Sequence, residues 1–378
     1  MIYLDNSATT AVSKAAAESM MNVMTQNYGN PSSLHSMGIE AERAVTEARR
    51  SVAHLIGASP EQVVFTGSGT EANNLAVLGG AEARCRRPHV AVTTAVEHPS
   101  VAKCFDTLEK QGWLVTRLIP DSQGNITPEQ LERALTADTT LVSVMAVNNE
   151  TGARFDIPSM VTRVRRAAPQ ALFHTDGVQA AGKLPLLAER WGVDLLSVSG
   201  HKLHGPKGVG ALYIRKGVRV LPRLLGGGQE GGLRSGTEPV PAIVGFGTAA
   251  AEVPPFAEQD RHYRRLQQVL IEQLQQLPEV RLHIPQGGVP YIVNVSVLGF
   301  RSETLLHFLA ARGIYLSGGS ACSKGKRSPV LTAMGLPERE IDSSLRISFC
   351  RHNTEEDVCA LVKALGEATA TLQRRKSN

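Results

Sequence analysis

Residues 171–214 read ALFHTDGVQAAGKLPLLAERWGVDLLSVSGHKLHGPKGVGALYI. Three short apolar runs stand in this stretch, ALFHTDG, DLLSVSG and GVGALYI, each closed by turn residues. Runs of that length and composition read as buried strands. Upstream the same alternation continues. VVFTG, HVAVTT, WLVTRLI and TLVSVMAV separate stretches of helical period at Ser13 to Gln26, Gly38 to Leu55, Ala72 to Ala83, Pro99 to Gln111, Pro128 to Leu135 and Ile157 to Ala167. Strands alternating with helices predict an α/β fold, a mostly parallel sheet between helices.

The chain has 378 residues, more than one hydrophobic core usually serves. Composition shifts near Val253 to Pro255. A charged helical stretch from Phe256 to Gln276 follows, then weaker strand signals at YIVNVSV and LRISF and a last helix from Thr354. A large domain over 1–252 and a smaller α+β C-terminal domain over 253–378 are therefore expected, with roughly the first 15 residues able to pack on the smaller one. Hydrophobic residues make up 42% and charged ones 20%, close to globular averages. No apolar run is long enough to cross a bilayer. The start MIYLDNSATT has neither a basic leader nor an apolar h-region, so a cytoplasmic protein is expected. The formal net charge of +5 is scattered, which argues against a nucleic-acid or membrane partner. Five cysteines without a CxxC pair argue against a disulfide framework or a metal site and for reduced thiols. Of these, Cys350 reads as structural and Cys359, inside the last helix, as buried.

Chemistry gathers at the expected strand ends. Lys202 sits in SGHKLHGPKG between two strands, and its amine reacts with an aldehyde only when neutral. Desolvation and a nearby cation such as Lys207 would favour that form. Asp176 follows the run ALFHT, at the strand end where open α/β sheets bind ligands, and a carboxylate there can hold a pyridine nitrogen protonated. In TGSGTEANN a strand turns through glycines into a helix start, a setting that binds phosphate. His98 in EHP could stack on a planar ring, and Asn149 in NNETG could donate to a phenolic oxygen. Taken singly, Asp176 reads as a turn or capping residue, Lys202 as a solvent lysine, and the others as satisfied turn residues.

Read together and in order, YLDNSATT, YGNPSSLH, GSGTEANNLA, VEHPSV, NNETG, HTDGVQAAG, SGHKLHGPKG, RSGTEPVP, GGSACS and LRIS resemble the class V aminotransferase-like pyridoxal-phosphate enzymes of fold type I, specifically the cysteine desulfurases. The resemblance runs from Tyr3 to about Ser348. It implies pyridoxal 5'-phosphate as cofactor, with Lys202 as the Schiff-base lysine and proton shuttle, Asp176 on the pyridine nitrogen and His98 as the stacking acid/base. It further implies Gly69, Thr70, Ser199 and His201 on the phosphate, Asn149 and Gln179 on the phenolic oxygen, and Thr237 as a phosphate contact from the other subunit of a homodimer. Arg346, with Asn149, would bind the substrate, the arginine clamping its carboxylate.

Cys322 selects the reaction. It stands in SGGSACSKGK, where two lysines favour the thiolate. The resemblance implies that L-cysteine displaces Lys202 and that Cys322 takes its sulfur as a persulfide, leaving L-alanine. The sulfur would pass to an acceptor of unknown identity, in iron–sulfur cluster assembly or tRNA thiolation. Compared with housekeeping members, the stretch from Cys322 to Val330 looks short and little chain follows the last helix, which leaves the acceptor open. A selenocysteine lyase would use the same residues, separable by relative rates on the two substrates. A non-catalytic scaffold on this fold would need none of Lys202, Asp176, His98, Cys322 and Arg346.

Overall fold

A computed structural model describes residues 1–318 and 327–374; Cys322 lies outside the described residues. Seven strands form the main sheet, in the order Val63–Thr66, Gly210–Ile214, Leu195–Ser199, Leu172–Asp176, Thr139–Ser143, Val90–Thr94, Leu114–Leu118. From Leu195–Ser199 to Leu114–Leu118 every pairing is parallel, while Gly210–Ile214 runs antiparallel to both its neighbours. The four strands at 139–143, 172–176, 195–199 and 210–214 are buried at every residue. Helices cover both faces of such a sheet, which is why these strands read as continuous apolar runs rather than alternating ones.

Five of the expected helices form close to their periodic stretches: Lys14–Thr25, Ser36–Leu55, Pro99–Lys110, Pro128–Ala134 and Ile157–Ala167. Ser13, Thr127 and Asp156 each accept a bond from the backbone N–H three residues on, satisfying a donor that a helix start leaves open. Two expectations are corrected. The helix expected at Ala72 to Ala83 is Gly69–Asn74 followed by a π-helical stretch, Leu75–Gly79. There the backbone packs so closely that a Cβ on Gly79 would lie 2.3 Å from the Leu221 carbonyl oxygen. The strand in TLVSVMAV ends at Ser143. Val144 and Ala146 still donate to the carbonyls of His174 and Asp176, but Met145 turns its N–H to the Glu97 carboxyl instead of a second strand.

A second, antiparallel sheet has the order Ser317–Gly318, Ser344–Ser348, Ile292–Val297, Val280–His283. The helices Phe256–Leu274 and Glu355–Thr371 pack on one another beside it. At the chain's start, Ile2–Tyr3 pairs in parallel with Ile314–Tyr315, and Ser348 N–H donates to the Leu4 carbonyl at 2.7 Å. The expected boundary at 252/253 falls between the helices Val240–Ala251 and Phe256–Leu274. One continuous buried cluster reaches across both sheets, from Leu4 and Val52 to Val295 and Leu365. Among the described residues, no single helix is long and apolar enough to cross a membrane.

Candidate active site

The strand Leu195–Ser199 ends in a single tight turn, Gly200–Lys202. A bond from Gly205 N–H to the Gly200 carbonyl closes the loop at 3.0 Å, and a Cβ on Gly69 would lie 2.9 Å from Val178 Cγ2 and 3.2 Å from Ser199 Cβ. His204 holds a left-handed φ of 69°, a conformation that a side chain tolerates only where its surroundings enforce it. The N-terminal segment supplies that restraint: His204 N–H donates to Thr10 Oγ1 at 2.8 Å, and its Nδ1 lies 2.9 Å from the Ala11 carbonyl. The same segment receives Lys202, whose Nζ donates to the Ser7 carbonyl and, at 2.8 Å, to that of Ala8. Burial first, then the charges of Arg346 and Lys183, bring Lys202 down to about 7. Lys207, the cation expected from the sequence, is exposed and is not among the main causes of this shift; the leading charges come from more distant parts of the chain.

A polar relay joins the neighbouring strand to the helix at 99–110. Asp176, 5% exposed, accepts from Asn73 Nδ2 at 2.8 Å and from Val178 N–H at 2.9 Å. Asn73 Nδ2 also donates to Ser100 Oγ at 2.9 Å, and Ser100 Oγ lies 2.7 Å from His98 Nδ1. His98 Nδ1 also accepts from Ser100 N–H at 3.2 Å and so caps its helix, where the plain reading had a satisfied turn residue, and the ring stands at the end of a chain of polar groups leading to Asp176. Burial lowers its proton affinity against the attraction of Asp176, and Lys202 and Arg346 lower it further. Neither Asn73 nor Ser100 was singled out in the sequence, although Asn73 lies inside GSGTEANNLA.

On the other side of Asp176, Ser199 is 1% exposed and its Oγ has no partner among the described residues. Gly69 opens the helix Gly69–Asn74, with Thr70 exposed in its first turn. His201 Nδ1 lies 3.2 Å from Thr9 Oγ1, and burial with the lysines around it lowers it to about 4. Thr237 is exposed in the loop ahead of Val240–Ala251. Gln179 Nε2 donates to the Ser7 carbonyl at 2.9 Å, and its Oε1 has no partner among the described residues.

Arg346, in the central strand of the second sheet, brings a guanidinium to the same place. It donates to Asp5 Oδ1 at 2.8 Å, to Ser317 Oγ at 3.2 Å and to the Asn149 carbonyl at 3.0 Å, while Nε has no partner among the described residues. Asn148 fixes the Asn149 turn by accepting from Glu150 N–H, Thr151 N–H and Thr151 Oγ1. Two carboxyls nearby are pushed up by burial, Glu97 to about 8 and Glu150 to about 7. Cys350, read as structural, is buried; Cys359 is exposed, a correction, although its Sγ accepts from Gln273 Nε2 of the helix Phe256–Leu274 at 3.1 Å. Cys322, the proposed nucleophile, lies outside the described residues.

An amine, a carboxylate, an imidazole and a guanidinium thus meet at the strand ends of an α/β sheet. The chain belongs to the aminotransferase class-V family, whose model matches residues 2–361. Within it, the similarity is to cysteine desulfurases. A "Cysteine desulfurase" of Nostoc sp. is 42% identical over 380 residues, covering 99% of this chain and 94% of that one. "Cysteine desulfurase IscS" of Methanosarcina thermophila is 41% identical, covering 98% and 93%. Among solved structures, a "NifS-like protein" superposes with a TM-score of 0.93 at 39% identity, covering 98% of this chain and all of that one. "SspA in complex with cysteine" gives 0.82 at 34% identity, covering 94% and 100%.

Proposed function

We propose that this chain is a pyridoxal-phosphate-dependent cysteine desulfurase that moves sulfur from L-cysteine to Cys322 and releases L-alanine. The observation that carries the reading is the junction at residues 5–8. There the chain holds both the Lys202 amine, on the carbonyls of Ser7 and Ala8, and the Arg346 fork, on Asp5.

The residues present fit the cofactor. Ser199 Oγ and Arg346 Nε are buried without partners, as donors awaiting a ligand would be. Lys202 would hold the cofactor covalently and Asp176 would face its pyridine nitrogen. Gly69, Thr70, Ser199 and His201 would hold its phosphate, with Asn149 and Gln179 toward its phenolic oxygen. When bound, the cofactor supplies an electron sink.

This chain's own residues do the rest. Lys202, brought down to about 7 by burial and cations, has the neutral form available near neutral pH and can carry a proton to or from the substrate's α-carbon. His98, likewise held toward its neutral form, offers a second site of proton transfer. Arg346 binds the substrate carboxylate and sets the side chain's direction. The Cys322 thiolate attacks the substrate sulfur. The sulfur–sulfur bond forms as the carbon–sulfur bond breaks, that carbon takes a proton, and the chain keeps a persulfide that an acceptor thiol removes.

A homodimer and a cytoplasmic site of action are part of the reading. Large apolar side chains stand in water near the loop that carries Thr237 and near the N-terminus, Leu225 at 83% and Leu34 at 96% exposure. A second copy would cover them and bring in its own Thr237.

The test is the yield of sulfide and alanine from L-cysteine with a thiol reductant, for the parent and for Cys322→Ala, while the cofactor absorbance is followed. The reading expects equal yields of the two products from the parent, and an unchanged spectrum without turnover in the variant. Cofactor binding without sulfur release from the parent would overturn the substrate assignment.

A further inference from the structure

Lys183 is a buried cation that the chemistry above does not use. It follows the strand Leu172–Asp176 by one turn, is 5% exposed, and its Nζ has no hydrogen-bond partner among the described residues. An ammonium in that position lacks what buried charges ordinarily have, a counter-ion and acceptors. Its Nζ lies 5.0 Å from the centroid of the Tyr291 ring, an arrangement that favours a cation over an aromatic face. Tyr291 is itself fixed by a bond from its hydroxyl to the Gln179 carbonyl at 2.9 Å.

The lysine also borders the same small cavity as Lys202. Lys183 and Lys202 line one small cavity of about 10 Å³, closed by His204, Tyr263 and Arg351, a space of the order of one water molecule. No carboxylate lines it. Toward Lys183 the other polar or charged groups are Cys350 and, beyond it, Arg346. On its outer side a larger cavity of about 530 Å³ carries Glu47, Arg50 and His54, none of which bonds to Lys183 Nζ. Two lysines therefore border one cavity with no carboxylate among its described lining residues, while Asp5 and Asp176 act on Lys202 from elsewhere in the site.

We propose that Lys183 is a positioning residue for Lys202: an unpaired ammonium, bordering the same cavity, that holds the Lys202 amine in the neutral form able to condense with the cofactor aldehyde and expel water. The inference rests on the cofactor reading above. It agrees in sign with the shifts: Lys183 is among the charges that lower Lys202, and burial leaves Lys183 itself at about 8, mostly protonated at pH 7.

The test uses the full-length apoprotein and pyridoxal phosphate itself, with the rate of covalent capture read by absorbance across pH 6–10. In the parent the rate should rise with pH to a plateau as Lys202 loses its proton. Lys183→Met keeps the bulk and removes the charge; its midpoint should move up by roughly half a pH unit or more, which makes capture about twofold slower at pH 7 and about threefold slower at pH 6. Lys183→Arg keeps the charge and should keep the midpoint. If Lys183→Met is not recovered folded, Lys183→Gln makes the same comparison. An unmoved midpoint in the neutral variant, or an equal shift in Lys183→Arg, overturns the proposal. Failure of the parent to capture the cofactor at all, as Lys202→Ala must fail, overturns the cofactor reading and the proposal with it.

Discussion

Arg346 and Asp5, 341 residues apart in the chain, meet with Nη2 2.8 Å from Oδ1, and Asp5 also accepts from Ser317 Oγ at 2.6 Å. One aspartate thus fixes the guanidinium and ties the N-terminal segment to the second sheet. Arg346→Lys should lower kcat/KM for L-cysteine by roughly 10- to 150-fold, the effect of losing about 1.5–3 kcal/mol of charged hydrogen bonding, and chiefly through KM. Asp5→Asn should instead act on stability, costing about 3 kcal/mol because it leaves a buried guanidinium without its counter-charge. Steady-state kinetics and thermal melts separate the two, and an unchanged KM in Arg346→Lys would remove the arginine from substrate binding.

Gly69 has no room for a side chain. A Cβ there would press on Val178 and on Ser199, the latter at 3.2 Å, and Val178 is the residue whose N–H holds Asp176. Gly69→Ala should cost about 1–3 kcal/mol by overpacking and weaken retention of pyridoxal phosphate, measured by dialysis and melting. Tight retention at parental stability would show that the loop yields, contrary to the packing seen.

The strand pattern and most helices could be read directly, because buried parallel strands announce themselves as apolar runs and the helices carry their own caps. Lys202, Asp176 and His98 stand out in the sequence beside a turn or strand end, whereas Arg346, in the middle of the strand Ser344–Ser348, is reached only through the resemblance. What could not be read is which groups act on which. Lys207 is five residues from Lys202 and matters less to it than Arg346, 144 positions away, because chain proximity does not put two side chains in one cavity. Asn73 and Ser100 look like ordinary polar helix residues until the fold brings them between Asp176 and His98. Cys359 is exposed although it touches the partner helix through Gln273, because helical periodicity does not tell the rim of a helix contact from its centre. The π-helical stretch at Leu75–Gly79 reflects tertiary packing that local periodicity does not contain.

His98 combines a structural and a chemical duty, and substitution can divide them. Asparagine is a good N-cap, so His98→Asn should keep the helix Pro99–Lys110 and the melting temperature close to parental. It cannot exchange a proton near neutral pH, so kcat should fall on the order of 100-fold or more. A parental kcat in a well-folded His98→Asn would assign the residue to capping alone.

Glu97 offers the clearest pH signature in the interior. Its Oε1 accepts from Thr94 Oγ1 and Met145 N–H at 2.8 and 2.9 Å, Oε2 has no partner, and burial raises the group to about 8. In the unfolded chain a glutamate titrates near its ordinary value, so between about 4.5 and 8 the folded state binds one proton more. The stabilisation this gives is complete below the ordinary carboxyl value and is lost as pH rises through about 8. Lys202 and Lys183 contribute with the opposite sign on the alkaline side, since both are lowered, so the Glu97 contribution has to be isolated by substitution. Glu97→Gln keeps the acceptor toward Thr94 and Met145 and cannot titrate. At pH 5 it should melt at or slightly below the parent, because its amide donors find no acceptor; by pH 8.5 it should melt above the parent, which then carries a buried carboxylate. A melting difference that stays constant across that range would mean Glu97 is ionised throughout, and its place beside Asp176 would have to be understood as a second negative charge at the site.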